Sequence, residues 1–205
     1  MENLIITIGR QLGSGGRSVG RLLAEHYGIP LYDKALINLA AEQSGFGKEF
    51  FAKADEQVSR TSLRSLITGR GFTSSHSDSP LSNEALFRVQ SDVIRNIASK
   101  ESCVILGRCA DYILRDVPGL VSVFLTADID DRLKRYSEHD NIPIEKARPL
   151  LEQGDKKRAN YYNYYTDGTW GSASTYHICV NTSRLGIEGT TDFLIRYIDR
   201  LHRNR

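Results

Sequence analysis

The stretch Gly13-Ser14-Gly15-Gly16-Arg17-Ser18 decides the fold of this 205-residue chain. It follows a mostly apolar run, Leu4–Ile8, and precedes a segment whose apolar residues recur at helical spacing. Glycines allow the sharp turn that brings several main-chain N–H groups onto one anion, and the following helix adds the positive end of its dipole. Strand, glycine turn and helix in this order predict a phosphate-binding loop. A tight turn without a ligand is the alternative interpretation.

The loop lacks the lysine of a standard phosphate loop, G-x-x-x-x-G-K-[S/T]. Another cation then has to meet the phosphates, and arginine, as a planar fork, must contact them differently from lysine. The candidates are Arg10, just before the loop, and Arg17, in the first helical turn. Ser18 is placed to help hold Mg²⁺. The candidate phosphate and metal ligands are thus Arg10, Gly13, Ser14, Gly15, Gly16, Arg17 and Ser18.

The bulk composition is ordinary for a globular protein, with 40% hydrophobic residues, 25% charged residues and a net charge of +2. A charge so close to neutral argues against binding of a nucleic acid polymer. Apolar runs of about six residues are far shorter than the roughly 20 of a membrane span, and no signal peptide is evident. Cys103, Cys109 and Cys179 form no zinc pattern and are typical of a reducing cytosol. We expect a cytoplasmic protein, whose oligomeric state the sequence leaves open.

Apolar strands alternate with helical segments along the chain. Such an alternation favours a parallel sheet covered on both faces, and right-handed crossovers then give a doubly wound, three-layer α/β/α fold. A segment rich in Ser and Gly, 68–83, is predicted to be a mobile loop. Strands are predicted at 3–9, 31–32, 103–106, 120–125 and 176–180, and helices after the glycines, at 34–44, 47–67, 83–100, 128–138 and 143–165, and at the end.

Polar residues follow several of the predicted strands. Ligands bind at the carboxyl ends of strands in such sheets, and the glycine loop, Asp33, Arg108 and Thr126 all lie at those ends. This convergence predicts one shared site. Asp33 is a candidate contact to substrate or metal, or else the N-cap of the next helix. Arg108 suits a bidentate phosphate contact, or else a salt bridge to Asp111.

A second group of cations lies in the predicted helical hairpin at 128–165. Arg132, Arg135 and Arg158, taken alone, read as part of solvated helix faces. Phosphoryl transfer, however, requires cations that close over the transferred group, so the hairpin is a candidate lid. The aromatic residues that follow either anchor this lid or stack on a base; they are Tyr161, Tyr162, Tyr164, Tyr165 and Trp170.

These residues together resemble the cytidylate kinases. Gly13-Ser14-Gly15 and Tyr32-Asp33 lie at the spacing found in the opening of that family, and Gly107-Arg108 resembles its Gly-Arg-Asp segment. Asp155 and Arg158 resemble the Asp-x-x-Arg of its lid. The likeness spans nearly the whole chain and extends to Phe124-Leu125-Thr126-Ala127, with Arg132 and Arg135, and to Asn181-Thr182-Ser183, similar to an Asp-Thr-Thr.

The resemblance implies a P-loop nucleoside monophosphate kinase with a five-stranded parallel sheet, ATP with Mg²⁺ as donor, and CMP or dCMP as the expected acceptor. It implies a core of 1–33, 101–127 and 175–205, a helical monophosphate-binding lobe at about 34–100 and a lid at about 128–174. By position, Gly13 to Ser18 would cradle the donor phosphates. The implied substrate-binding residues are Asp33 and Arg108, with Asp111 a further candidate, and the implied catalytic residues are Arg132, Arg135 and Arg158, joined by Arg17 as the loop's candidate cation.

The chain departs from the family pattern at four positions. Gly16 stands in the place of the lysine, Leu106 and Cys109 replace the acids that flank Gly-Arg, and Asn181 replaces another Asp. Two further functions therefore stay open: a kinase for another small metabolite, and a nucleotide-binding regulatory protein of the same fold without efficient catalysis.

Overall fold

The computed structural model describes residues 2–43 and 80–203. Its strands are Ile5–Arg10 (β1), Leu31–Tyr32 (β2), Cys103–Leu106 (β3), Leu120–Thr126 (β4) and Ile178–Asn181 (β5). Its helices are Gly16–Tyr27 (α1), Lys34–Gln43 (α2), Pro80–Lys100 (α3), Ala110–Ile113 (α4), Ile129–Asp140 (α5), Ile144–Tyr165 (α6) and Thr182–Arg203 (α7).

The five strands form one parallel sheet in the order β2-β3-β1-β4-β5. The strand β1 lies at its centre, with Ile5 paired to Cys103 on one side and to Leu120 on the other. Because every connection runs back across the sheet, the loops after β1 and β3 emerge side by side at its carboxyl edge. The predicted three-layer α/β/α P-loop fold is confirmed.

The core lies between the sheet and the helices α1 and α7. Val19 and Leu23 of α1 are fully buried against strand residues such as Ile8, and Leu194 and Ile198 of α7 join the same cluster. Helix α1 ends as predicted at Gly28, which has φ +63° and donates its N–H to the last turn of the helix. The apolar periodicity of the sequence thus identifies the buried face of both helices.

Two boundaries show how the structure departs from the sequence-based prediction. The sequence predicts a loop over 68–83, but the structure begins α3 at Pro80. Proline is tolerated there because the first N–H groups of a helix have no partner within the helix. The last strand begins at Ile178 rather than at residue 176, since the ring of Tyr176 packs on Phe124 instead. Residues 68–79 and the predicted helix at 47–67 lie outside the described residues.

The chain divides into two compact units, Met1–Lys34 with Arg95–Arg205, and Ala35–Ile94. The first holds all five strands and the glycine loop. Within the second, the Gln90 side-chain amide donates to the Asn38 Oδ1 at 2.7 Å. The finer division into core, acceptor lobe and lid remains a prediction. No helix within 2–43 or 80–203 combines the length and the hydropathy needed to cross a membrane.

We expect Leu194→Ala to lower the free energy of unfolding by about 2–5 kcal/mol, because the side chain is fully buried and its loss leaves a cavity. Leu185→Ala, in the short helical turn before the kink at Gly186, is the control, since that side chain is 51% exposed and should cost less than about 0.5 kcal/mol. Urea unfolding measures both changes. Equal losses would contradict the assignment of the buried face of α7.

Candidate active site

The glycine loop between β1 and α1 has a fixed shape. Gly13 and Gly15 have φ +76° and +78°, which favours glycine. A Cβ atom at Gly13 would lie 2.5 Å from the main-chain oxygen of Arg132, and one at Gly15 would lie 2.1 Å from the Ile187 Cδ1. Ser14 is fully buried and donates its hydroxyl to the Gln11 main-chain oxygen at 2.8 Å. A side chain at either glycine would therefore strain the backbone, and at Gly13 it would also clash with the main chain of Arg132.

Leu12 joins this loop to the hairpin of α5 and α6. Its N–H donates to the Asp155 Oδ1 at 2.7 Å, and its C=O accepts from the Arg132 Nε at 2.8 Å. Arg132 and Asp155 also form an ion pair with each other. The Leu12 side chain packs on the small apolar cluster of the hairpin, which includes Leu133 and Leu151. Main-chain and side-chain groups of one loop residue thus all bind the hairpin.

Two further arginines of the hairpin reach the same loop. Arg135 donates one guanidinium nitrogen to the Gly13 main-chain oxygen at 3.4 Å and to the Thr182 Oγ1 at 3.1 Å. Arg158 donates to the Arg10 main-chain oxygen at 2.9 Å, and burial lowers its pKa. The structure therefore brings Arg132, Arg135 and Arg158 to the loop, where they donate to carbonyl oxygens.

The two candidate replacements for the lysine lie in different surroundings. The side chain of Arg10 covers Gly16, and its guanidinium lies against Gly107. The side chain of Arg17 is 77% exposed and pairs with Asp33 at 3.0 Å. Ser18 is exposed in the first turn of α1.

The segment after β3 has an unusual backbone. Gly107, Arg108 and Cys109 have φ +67°, +58° and +57°, three left-handed residues in succession. Such a conformation costs a non-glycine residue about 1–2 kcal/mol and is often found at functional sites. The Arg108 guanidinium stacks on the ring of Tyr161, 4.4 Å from its centroid, and donates to its hydroxyl at 2.8 Å. The strained turn and Tyr161 together fix the direction of Arg108.

A cavity of about 370 Å³ opens beside the loop and the strained turn. Its acidic group is Asp111, which accepts a hydrogen bond from the Tyr162 hydroxyl at 2.5 Å. Burial raises the pKa of Asp111, and the bond from Tyr162 opposes that rise. The cavity is lined by five cations, Arg10, Lys34, Arg108, Lys157 and Arg158, and by the aromatic residues Tyr161, Tyr162, Trp170 and Tyr176.

Sequence reasoning missed three contacts that shape this site. It named Tyr161 as a lid or stacking residue rather than as the group that orients Arg108, and it gave no role to Leu12. It quoted Thr182 within a motif but did not foresee that its hydroxyl donates to the Ser14 main-chain oxygen at 2.8 Å. All three contacts join residues that are distant in the sequence, so no local sequence pattern predicts them.

Comparison with known proteins identifies the family. Residues 5–184 match the sequence model of the cytidylate kinase-like family. The chain is 28% identical to a cytidylate kinase from Methanopyrus kandleri, over 97% of this chain and 95% of the relative, and 25% identical to one from Pyrococcus horikoshii, over 98% and 91%. The chain belongs to the cytidylate kinase-like family of P-loop phosphotransferases.

Solved structures agree with the fold. The crystal structure of an uncharacterized protein from Eubacterium ventriosum is 33% identical, covers 96% of this chain and 99% of its own, and superposes with a TM-score of 0.73. A shikimate kinase from Bacteroides thetaiotaomicron is 16% identical, with 96% and 98% coverage and a TM-score of 0.52. The second likeness shows the fold alone.

We expect Tyr162→Phe to destabilise the protein more at pH 7 than at acid pH. The Tyr162 hydroxyl favours ionised Asp111, so its loss raises the pKa of that carboxyl further, and the penalty is complete only where the carboxyl is ionised. The expected cost is about 1–3 kcal/mol at pH 7 and nearer to about 1 kcal/mol close to pH 4.

Urea unfolding at the two pH values measures this difference. Tyr164→Phe is the control, because that side chain is 65% exposed and its change should be small at both pH values. A cost for Tyr162→Phe that does not change with pH would contradict the expected effect of this hydroxyl on the pKa of Asp111.

Proposed function

We propose that this protein transfers the γ-phosphoryl group of ATP to a nucleoside monophosphate, with CMP or dCMP as the preferred acceptor. One observation carries the proposal: five cationic side chains and one buried carboxylate line a cavity that adjoins a glycine loop at the carboxyl edge of the sheet. The phosphate groups of two substrates repel each other when they are brought together, so a site that binds both requires this excess of positive charge. The names of the curated relatives suggest the cytidine acceptor.

The donor would bind at Gly13 to Ser18. The loop fits an anion because its main-chain oxygens at Leu12, Gly13 and Ser14 are already taken by other donors, so its carbonyl dipoles are neutralised. Helix α1 begins at Gly16 and adds its positive N-terminus. Mg²⁺ would be held with the phosphates and Ser18. Among the described residues no group of three acidic, His or Cys side chains forms a metal site, and Mg²⁺ commonly relies on substrate phosphates.

The acceptor would bind in the cavity. Arg108 enters it from the strained turn with its fork held by Tyr161, which suits a bidentate phosphate contact. Asp111 is the cavity's buried hydrogen-bond acceptor and would recognise a polar group of the nucleoside, while the aromatic residues provide stacking surfaces. Asp33, which follows β2 and pairs with Arg17, would contribute a further contact to the acceptor.

The hairpin arginines would then have two kinds of role. Arg132 is buried, and its donors go to the Leu12 main chain and to Asp155, so we assign it to positioning the loop. Arg135 and Arg158 make hydrogen bonds to neutral oxygens, which leaves other N–H groups of their forks for phosphate oxygens. These two would stabilise charge on the transferred group.

A regulatory protein that binds nucleotides without efficient turnover is the second candidate. The departures from the family pattern favour it, because Gly16 stands in the place of the lysine and Leu106 and Cys109 in the places of the acids that flank Gly-Arg. A kinase for another small metabolite keeps the same donor site and changes the acceptor.

An acceptor panel separates the three functions. Purified protein, ATP and Mg²⁺ are mixed with CMP, dCMP, UMP, AMP, GMP and shikimate, and the phosphorylated product is separated by chromatography. We expect kcat/KM for CMP or dCMP to exceed that for AMP and GMP at least about tenfold, a modest difference of about 1.4 kcal/mol. Preference for a different acceptor class would replace the proposal, and ATP binding without any product would favour the regulatory protein.

We expect Arg108→Lys to raise the KM for the acceptor about 10–100-fold, because lysine provides neither the bidentate fork nor the stack on Tyr161. Arg115→Lys is the matched control: Arg115 also stacks on a tyrosine, 4.2 Å from the ring centroid of Tyr112, but does not line the cavity. Initial rates at varied acceptor concentration measure both. Equal KM values for the two variants would remove Arg108 from the acceptor site.

A further inference from the structure

We propose that Arg10, the last residue of β1, supplies the cation for the donor phosphates that a standard phosphate loop supplies with its lysine. The inference rests on the proposed function, since it concerns the donor side of that site. It decides between two arginines that the sequence leaves equivalent, and it explains why residue 16 is a glycine.

Arg10 and a lysine at position 16 cannot share the available space. A Cβ atom built on Gly16 would lie 2.8 Å from the Arg10 Cβ and 2.9 Å from its Cγ. These are the inner atoms of the side chain, which cannot move aside as a flexible tip would. The stem of Arg10 therefore occupies the room from which the loop lysine would start.

The guanidinium of Arg10 reaches the middle of the site. Its Nη1 lies 2.2 Å from the position of a Cβ on Gly107, so only glycine at 107 allows this approach. Gly107 begins the strained turn that carries Arg108, and both Arg10 and Arg108 line the cavity. Arg10 thus connects the start of α1 to the acceptor side, where a donor's terminal phosphate has to be held.

The charge of Arg10 is poorly compensated. Across residues 2–43 and 80–203 no carboxylate lies within ion-pair distance of it, and Asp33, which favours its charge, is paired with Arg17. Burial, followed by the charges of Arg158, Arg108 and Arg17, lowers the pKa of Arg10 to about 10. A polyanion placed there would relieve this repulsion between neighbouring cations.

Arg17 does not meet these requirements. Its side chain is mostly exposed and bound to Asp33, and it does not line the cavity. A contact with the donor would require it to leave that carboxylate. The structure assigns Arg17 to holding Asp33.

Calorimetry of Arg10→Gln and Arg17→Gln tests the assignment without turnover. The ligands are the nonhydrolysable ATP analogue AMP-PNP with Mg²⁺ and, separately, pyrophosphate with Mg²⁺. We expect Arg10→Gln to weaken AMP-PNP binding about 10–100-fold, the range for a lost charge-assisted contact, and Arg17→Gln to change it less than about threefold. Circular dichroism and thermal unfolding confirm that each variant is folded. The reverse order, or unchanged binding by Arg10→Gln, would overturn the inference.

An exchange of the two positions provides a test by rescue. Arg10→Gly removes the cation and frees the space beside residue 16, and Arg10→Gly with Gly16→Lys places a lysine in the standard position. We expect the double variant to regain at least about tenfold of the AMP-PNP affinity that Arg10→Gly loses, because the ammonium replaces the guanidinium. Gly16→Lys with Arg10 present is the control and should lose stability through the clash. Two results would contradict the claim that Arg10 and a lysine at position 16 compete for the same space. One is a Gly16→Lys variant as stable as wild type, and the other is a folded double variant that binds AMP-PNP no more tightly than Arg10→Gly.

The assignment of Arg10 and the proposed function can be refuted separately. If wild type phosphorylates CMP while Arg10→Gln binds AMP-PNP normally, the function stands and the assignment of Arg10 is wrong. If Arg10→Gln loses AMP-PNP binding while no acceptor is phosphorylated, the assignment stands and the kinase proposal is wrong.

Discussion

The grip of the hairpin on Leu12 is the constraint on which the rest of the site depends. A phosphate-binding loop has to present N–H groups and to turn its carbonyl oxygens away, since these repel an anion. Here the Leu12 oxygen is held by Arg132, and the Leu12 N–H is held by Asp155. One loop amide is thereby withdrawn from anion binding, and the position of Leu12 is set by both helices of the hairpin, Arg132 on α5 and Asp155 on α6. Any movement of the hairpin away from the loop would have to break these two bonds.

A second constraint acts at the end of β3. The left-handed backbone at Arg108 and Cys109 is maintained by hydrogen bonds on both sides: the Gly107 N–H donates to the Ile8 oxygen at 3.0 Å, and the Ile113 N–H donates to the Cys109 oxygen at 2.9 Å. These bonds attach the left-handed segment to β1 on one side and to α4 on the other. The effect of this backbone is to direct Arg108 into the cavity while Cys109 is buried. Burial raises the pKa of the Cys109 thiol to about 12, so it carries no charge near neutral pH.

Local sequence patterns predict the strands, the helices and most of the charged residues that lie near the glycine loop. They do not predict which side chains these charged residues contact. Apolar runs specify β1, β3 and β4 because parallel strands are buried on both faces. Gly13 and Gly15 are recognisable as loop residues because they come soon after a predicted strand. The pairing of Arg17 with Asp33, and of Arg108 with Tyr161, joins distant segments through side chains whose direction only the folded backbone sets. Pro80 was misread because proline marks both loops and the first turn of a helix.

The place of the cation has a mechanical consequence. A lysine in α1 would stand on the loop's own helix, whereas Arg10 stands on the central strand, where it pairs in register with Leu125 and where the next N–H, that of Gln11, donates to the Leu125 oxygen at 3.0 Å. The strand that carries that guanidinium is paired on both sides in the sheet, and its pairing with β4 extends to Arg10, so little main-chain freedom is lost when the guanidinium binds a phosphate. Arg158 donates to the Arg10 main-chain oxygen, so the hairpin contacts the same residue that bears the cation. The hairpin and the cation therefore meet at the end of β1, where Arg158 of the hairpin lies beside Arg10 in the same cavity.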